Sequence, residues 1–220
     1  MDCLFKAMNR LVFLVEGDSE LYFVQNRIIP YLYLNGAIGA ITCQKITTNR
    51  KLNISGGNVS YNLFKNELDR IYAQGGVVVT TFLDFFRLPN NFPNHGAGNP
   101  DDIEAGMLED NLDNRNYIPY IQKHEFEAIF FSDISNFYLF VDSNDKREAI
   151  ESILNEFPNP EDINSHPNRY PAKRLKDILG YNKGADAELI IESCSIEMVI
   201  SKCPRFAVWI EKLINLYVAA

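Results

Sequence analysis

Apolar residues in this chain follow two rhythms. Leu11 to Val15 is an unbroken apolar run, and "GGVVVTTFLDFF" is a second run, β-branched and aromatic, that ends on Asp84. Unbroken runs of this length are the pattern of strands buried on both faces. Between them the spacing changes. After Asp18 or Ser19, either of which can cap a helix, Leu21, Val24, Ile28 and Leu32 step by three, four and four, which predicts a helix. Ile38 to Ile46 reads as a further strand. "NISGGNVSYNLF" reads as a glycine turn leading into a helix with Leu63, Leu68 and Ile71 near one face. A Pro/Asn/Gly-rich loop from Leu88 to Pro100 precedes an acidic helical stretch to about Asn114. "YIPYIQKHEFEAIFF" then reads as a strand ending near Gln122, followed at once by His124, Glu125 and Glu127.

Strands alternating with helices predict an α/β fold with a mostly parallel sheet flanked by helices, whose sites form outside the carboxyl ends of the strands. From Ser132 the strand signal fades and helical spacing takes over, in Lys146 to Glu156, Ala172 to Leu179, Ala187 to Ile200 and Phe206 to Leu216. The expected organisation is an α/β core over residues 1–131 and a helical subdomain or cap over residues 132–220. With 46% hydrophobic residues in 220, the chain can bury a substantial core. It has no run of about 18 apolar residues, and "MDCLFKAMNR" lacks the apolar region of a secretion signal, so the expectation is a cytoplasmic protein without membrane contact. Cys3, Cys43, Cys194 and Cys203 are scattered without CxxC spacing, which argues for reduced thiols rather than a zinc ribbon or disulfide framework. Net charge is -8, so any contact with nucleic acid needs a local basic patch or metal ions.

Three strands each deliver acids to the sheet edge: Glu16 and Glu20 after the first, Asp84 after the second, Glu125 and Glu127, with His124, after the third. Each has a plainer alternative. Glu16 and Glu20 also suit the dipole at a helix start, and the later trio suits a structural hydrogen-bond network. "SGGNVSY" can cradle a phosphate on backbone amides or act as an ordinary turn and cap. In "NRYPAKRLK", Arg169, Lys173, Arg174 and Lys176 form the best local basic cluster, with Lys173 and Arg174 the candidates for a nucleic-acid backbone and a solvated helix face the alternative. His95 and His166 read as surface residues. Most aromatic residues sit within apolar runs and belong to the core.

"FLVEGDSE" resembles the first motif of TOPRIM domains, and "TTFLDFF" resembles the strand carrying their second acidic motif. "GGNVSY", "TTFLDFFRLP", "YIPYIQKHEFEAIFFSD" and "YPAKRLKDILGY" together resemble an uncharacterised bacterial TOPRIM-like family, related to the TOPRIM domains of OLD-type nucleases. That family is sometimes encoded beside an ATPase and associated with phage defence. The resemblance implies a metal-dependent nuclease acting on DNA or RNA. Glu16 would be its general acid/base or a metal ligand, and Glu20 and Asp84 ligands for Mg²⁺ or Mn²⁺. The second acid of the family's Asp-x-Asp pair is replaced by Phe86. Glu125 or Glu127 then becomes a substitute carboxylate, and His124 a group that orients water or contacts phosphate. Mg²⁺ needs only one or two protein carboxylates, which keeps the site viable. The rival expectation is a non-catalytic protein–protein module serving an ATPase. A divalent ion at Glu16 and Asp84 would mark the enzyme, and an acidic cleft bridged by Lys or Arg would mark the module.

Overall fold

The first apolar run lies inside the sheet. In a computed structural model that describes residues 10–49, 54–55, 59–111, 116–163 and 168–218, β1 (Arg10–Val15) pairs in parallel with β2 (Ala40–Lys45) on one side and β5 (Val77–Asp84) on the other. β5 pairs in parallel along its far edge with two short strands, β6 (Tyr117–Ile118) and β7 (Ile121–Gln122). The order is β2-β1-β5-β6, with β7 also on β5, so the five strands form a parallel sheet. A separate small antiparallel pair, β3 (Thr47–Asn49) with β4 (Ile54–Ser55), was not anticipated.

Parallel strands connected by helices are covered on both faces, and this explains the unbroken apolar runs. Leu11, Phe13, Val15, Val78 and Phe82 point to one core, and Val12, Leu14, Val77, Val79 and Leu83 to the other. The second core is closed by α3 (Tyr61–Tyr72) and α4 (Pro100–Glu109), through Phe64, Leu68, Ile71, Ile103 and Met107. The first is closed by the helix that follows β1 and by five helices of the carboxyl-terminal half: α5 (Asn144–Glu156), α6 (Pro171–Leu179), α7 (Ala185–Ser193), α8 (Ile196–Lys202) and α9 (Pro204–Val218). Trp209 of α9 anchors that packing. Its ring stacks on Tyr120 with centroids 4.3 Å apart, meets Phe13 edge-on at 5.9 Å, and donates its Nε1–H to Thr80 Oγ1 at 2.8 Å. An aromatic side chain buried this way is worth about 1.5–3 kcal/mol in transfer alone.

Three expectations change in detail. The strand expected in "YIPYIQ" is divided because Pro119 has no N–H for the ladder. Thr81 Oγ1 bridges the gap, accepting from Tyr120 N–H at 2.8 Å. The helix after β1 runs as α1 (Asp18–Phe23), a π turn (Val24–Ile28) and α2 (Ile29–Leu34). Pro30 cannot donate to the carbonyl four residues earlier, and the wide turn before it absorbs that lost bond. The expected helix from Ala187 to Ile200 is two helices, α7 and α8, because Ser195 breaks out to cap the second by accepting from Met198 N–H at 3.2 Å. Cys43, Cys194 and Cys203 are free thiols. Among the described residues no helix is long and apolar enough to cross a membrane. Cys3, Gly56, Gly57, Asn58 and His166 lie outside the described residues, and with them the turn at the heart of "SGGNVSY".

Candidate active site

The parallel register carries the ends of β1, β5 and β7 to one edge. Val15 is level with Phe82, and Asp84 with Gln122. Glu16 therefore leaves β1 beside Asp84 at the end of β5, and the buried 3-10 turn Phe126–Ser132 returns Glu127 to the same place. Glu20, in the first turn of α1, is 3% exposed. These four carboxylates all act on one another or on a shared neighbour. The carboxyl of Glu20 is pushed from 4.5 up to about 7, first by burial, with Glu127 and Glu16 adding to the rise, while Lys183 and a hydrogen bond from its own backbone oppose it. Asp84 rises well above the usual aspartate value, again by burial first, then by the charge of Glu20, against the pull of Lys183.

Lys183 completes the cluster. Its Nζ lies 3.2 Å from Glu127 Oε1, and the Tyr181 hydroxyl donates to the same oxygen at 3.2 Å. Glu127 is fully buried, whereas the Lys183 side chain is 54% exposed. Partial burial works against the ammonium charge, but Glu127, Asp84 and Glu20 outweigh it and hold Lys183 protonated above its ordinary range. One oxygen on each of three carboxylates remains sealed from solvent without a hydrogen-bond partner: Glu20 Oε2, Asp84 Oδ1 and Glu127 Oε2. Buried polar atoms are nearly always paired, so three such oxygens in one cluster need an explanation.

Gly17 fits this geometry for a steric reason. Its backbone is extended, at φ -125°, and any residue could adopt it. A Cβ there, however, would lie 2.5 Å from Glu20 Oε2, because the carboxylate folds back over the glycine. The glycine between the two glutamates makes room for the second one.

The other candidates separate. Glu125 is buried, and its Oε2 accepts from Ala172 N–H at 3.1 Å, pinning the first turn of α6. Its carboxyl is raised to about 7 by burial and by Glu127, against the Ala172 bond, Lys183 and Arg87. It feels the cluster but its hydrogen bond serves the helix. His124 has a left-handed backbone, at φ 67°, and its carbonyl accepts from Phe86 N–H at 2.7 Å. Its ring is lowered by burial and by Lys123, against Asp162. Arg174 is committed to packing: its Nε donates to Arg169 O at 2.7 Å and its guanidinium lies 5.2 Å over the Phe157 ring. Lys173 pairs with Asp177 on its own helix and lines a cleft of about 470 Å³ together with Tyr170, Lys176, Tyr181 and Lys183. His95 is tied by its ring to Leu88 O at 3.0 Å, away from the acids.

Hard, anionic oxygen donors of this kind suit Mg²⁺ or Mn²⁺ in their chemistry. In spacing, no three His, Cys, Asp or Glu groups among the described residues form a ready metal cage. The fit is that of an ion held by one or two protein oxygens and completed by other ligands. Lys183 and Tyr181 escaped the sequence reading. Their only local signal is "GYNKG", a turn flanked by Gly180 and Gly184, both with positive φ. No curated protein and no solved structure matches the chain. A family model described as a domain of unknown function (DUF4276) matches residues 15–214, from the end of β1 to α9. That span takes in every carboxylate of the cluster and Lys183, and the chain belongs to the DUF4276 family.

Proposed function

We propose that the protein is a phosphodiester hydrolase acting on nucleic acid, with Mg²⁺ or Mn²⁺ held by Glu20 and Asp84 and reached by Glu16 and Glu127. The observation that carries this reading is the trio of sealed, unpartnered oxygens on Glu20, Asp84 and Glu127. A buried carboxylate oxygen left without a donor is costly, and a bound cation offsets that cost. When bound, such an ion supplies Lewis acidity toward a phosphoryl oxygen and offsets the charge that builds there. The chain's own groups take the remaining roles. Glu16, half-buried at the rim, is positioned to exchange a proton with water. Lys183, half-exposed and held protonated, presents a fixed positive charge toward a substrate phosphate, and Glu127 and Tyr181 hold it in place. The TOPRIM resemblance of "FLVEGDSE" and "TTFLDFF" supports the same chemistry, with Phe86 in place of the second acid accounting for the sparse ligand set. The setting it implies, phage defence beside an ATPase, belongs to the same proposal.

A second reading has its own support. The Lys183–Glu127 ion pair, a cation already seated against the acids, favours a non-catalytic module bound to an ATPase. Thermal melts in EDTA, Mg²⁺ and Mn²⁺ separate the two without any partner. The hydrolase reading expects stabilisation of wild type by about 1.4 kcal/mol when the ion is at ten times its Kd. It also expects little gain for Asp84→Asn, and cleavage of DNA or RNA by wild type alone. No ion-dependent shift in wild type overturns it in favour of the module.

A further inference from the structure

The cleft beside the cluster reverses the charge of the molecule as a whole. The chain carries a net -8, yet among the described residues the cleft is lined by Lys173, Lys176 and Lys183 and by no acidic side chain. Lys173 and Lys183 each have a carboxylate behind them, Asp177 and Glu127. Lys176, three residues after Lys173 on α6, is exposed and pairs with no carboxylate among the described residues. Tyr181 and Lys183 line the cleft wall and also hold Glu127 from their other side, so the cleft adjoins the carboxylate cluster. At its edge stands an aromatic row. Tyr170, which lines the cleft, stacks on Phe86 with centroids 5.2 Å apart, and the Arg87 guanidinium lies 5.0 Å over Phe86.

We infer that this cleft binds single-stranded nucleic acid, with Lys176 and Lys173 on the phosphates and Tyr170 under a base. The inference deepens the hydrolase reading by naming its substrate. Three features select a single strand over a duplex. A volume of about 470 Å³ falls in the range of about 300–1,000 Å³ that suits small organic groups. An aromatic face can stack only on a base that has left its duplex. A positive strip inside an otherwise acidic surface can follow one backbone but offers no broad footprint for two. DNA and RNA share these features, and the test includes both.

The test is fluorescence anisotropy of labelled 12-mer single-stranded DNA, single-stranded RNA and duplex DNA across a salt series, in EDTA so that hydrolysis does not intervene. Wild type should bind one or both single strands more tightly than duplex. Lys176→Ala should make the log-log salt slope shallower by about 0.7, one lost phosphate contact. Tyr170→Ala should weaken binding about tenfold, the loss of one stacked base. Lys202→Ala, the same charge removed from α8, should leave the slope unchanged. Because Tyr170 is half-buried, Tyr170→Leu repeats that arm with a side chain that still packs. Duplex binding as tight as single-strand binding overturns the inference, as does an unchanged slope in Lys176→Ala or no binding by wild type. Binding here, with no cleavage once Mg²⁺ or Mn²⁺ replaces EDTA, leaves the cleft assignment standing and removes the hydrolase reading. Cleavage with binding indifferent to Lys176 does the reverse.

Discussion

Glu20→Gln should make the metal-free protein more stable, and more so as pH rises. The wild-type carboxyl titrates near 7 in the folded state instead of at the ordinary 4.5. Between those values the folded chain holds a proton that the unfolded chain has released, so stability falls as pH climbs from about 4.5 through about 7 and then levels off. At about 1.36 kcal/mol per pH unit, the full loss has a ceiling of about 3 kcal/mol, of which about 2.5 kcal/mol falls between pH 5 and pH 8. Glutamine keeps the shape and neutrality of the protonated acid and does not titrate. The variant should be within about 1 kcal/mol of wild type at pH 5 and ahead by about 2–3 kcal/mol at pH 8, or roughly 4–12 °C in Tm for a chain of this size. Glu125 is raised to about the same value but is present in both proteins and drops out of the difference. Urea or thermal denaturation in EDTA at pH 5, 6.5 and 8 measures it. Parallel stability curves for the two proteins would refute the picture of a buried, repelling carboxylate. In saturating Mg²⁺ or Mn²⁺ the order should narrow or reverse, because only wild type keeps all its ligands.

Two other substitutions probe the same cluster. Gly17→Ala introduces no backbone strain at φ -125° but places a Cβ 2.5 Å from Glu20 Oε2. The flexible carboxylate should turn aside at a cost under about 1 kcal/mol, while the stabilisation by Mn²⁺ measured in thermal melts is largely lost. A full Mn²⁺ shift in the variant would show that the position of Glu20 does not matter. Lys183→Met removes the counter-charge of fully buried Glu127. Because Lys183 is half-exposed, the cost in EDTA at pH 8 should stay near 1–3 kcal/mol, below the range for a wholly buried pair. Its stability should fall more steeply with pH than that of wild type, since Glu20 and Asp84 both lose the cation that favours their ionised forms. Stability equal to wild type at pH 8 would show that Glu127 does not depend on Lys183.

The amino-acid order by itself determined the α/β class and the carboxylates at the strand ends. Both follow from local rules. A strand covered on two faces must be apolar or have its polar groups paired, as in Leu11–Val15 and in Val77–Leu83, whose Thr80 and Thr81 hydroxyls donate to Ile118 O and Tyr120 O. A parallel sheet brings all its carboxyl ends to one edge, so the residues next in the chain, Glu16 and Asp84, share it. Tertiary structure alone decided which charged groups meet. Glu125 and Glu127 stand two residues apart with the same chemistry, yet one pins α6 and the other enters the cluster. Lys173, Arg174 and Lys176 looked alike in a single basic segment. Packing turned Arg174 onto Phe157 and left Lys176 in the cleft. Tyr181 and Lys183 reach Glu127 from a turn more than 50 residues further along the chain. Periodicity records which face of an element is buried, but carries no information on which distant element covers it. The partner of a buried charge is set by that second choice, and so it appeared only once the helices of the carboxyl-terminal half were packed against the sheet.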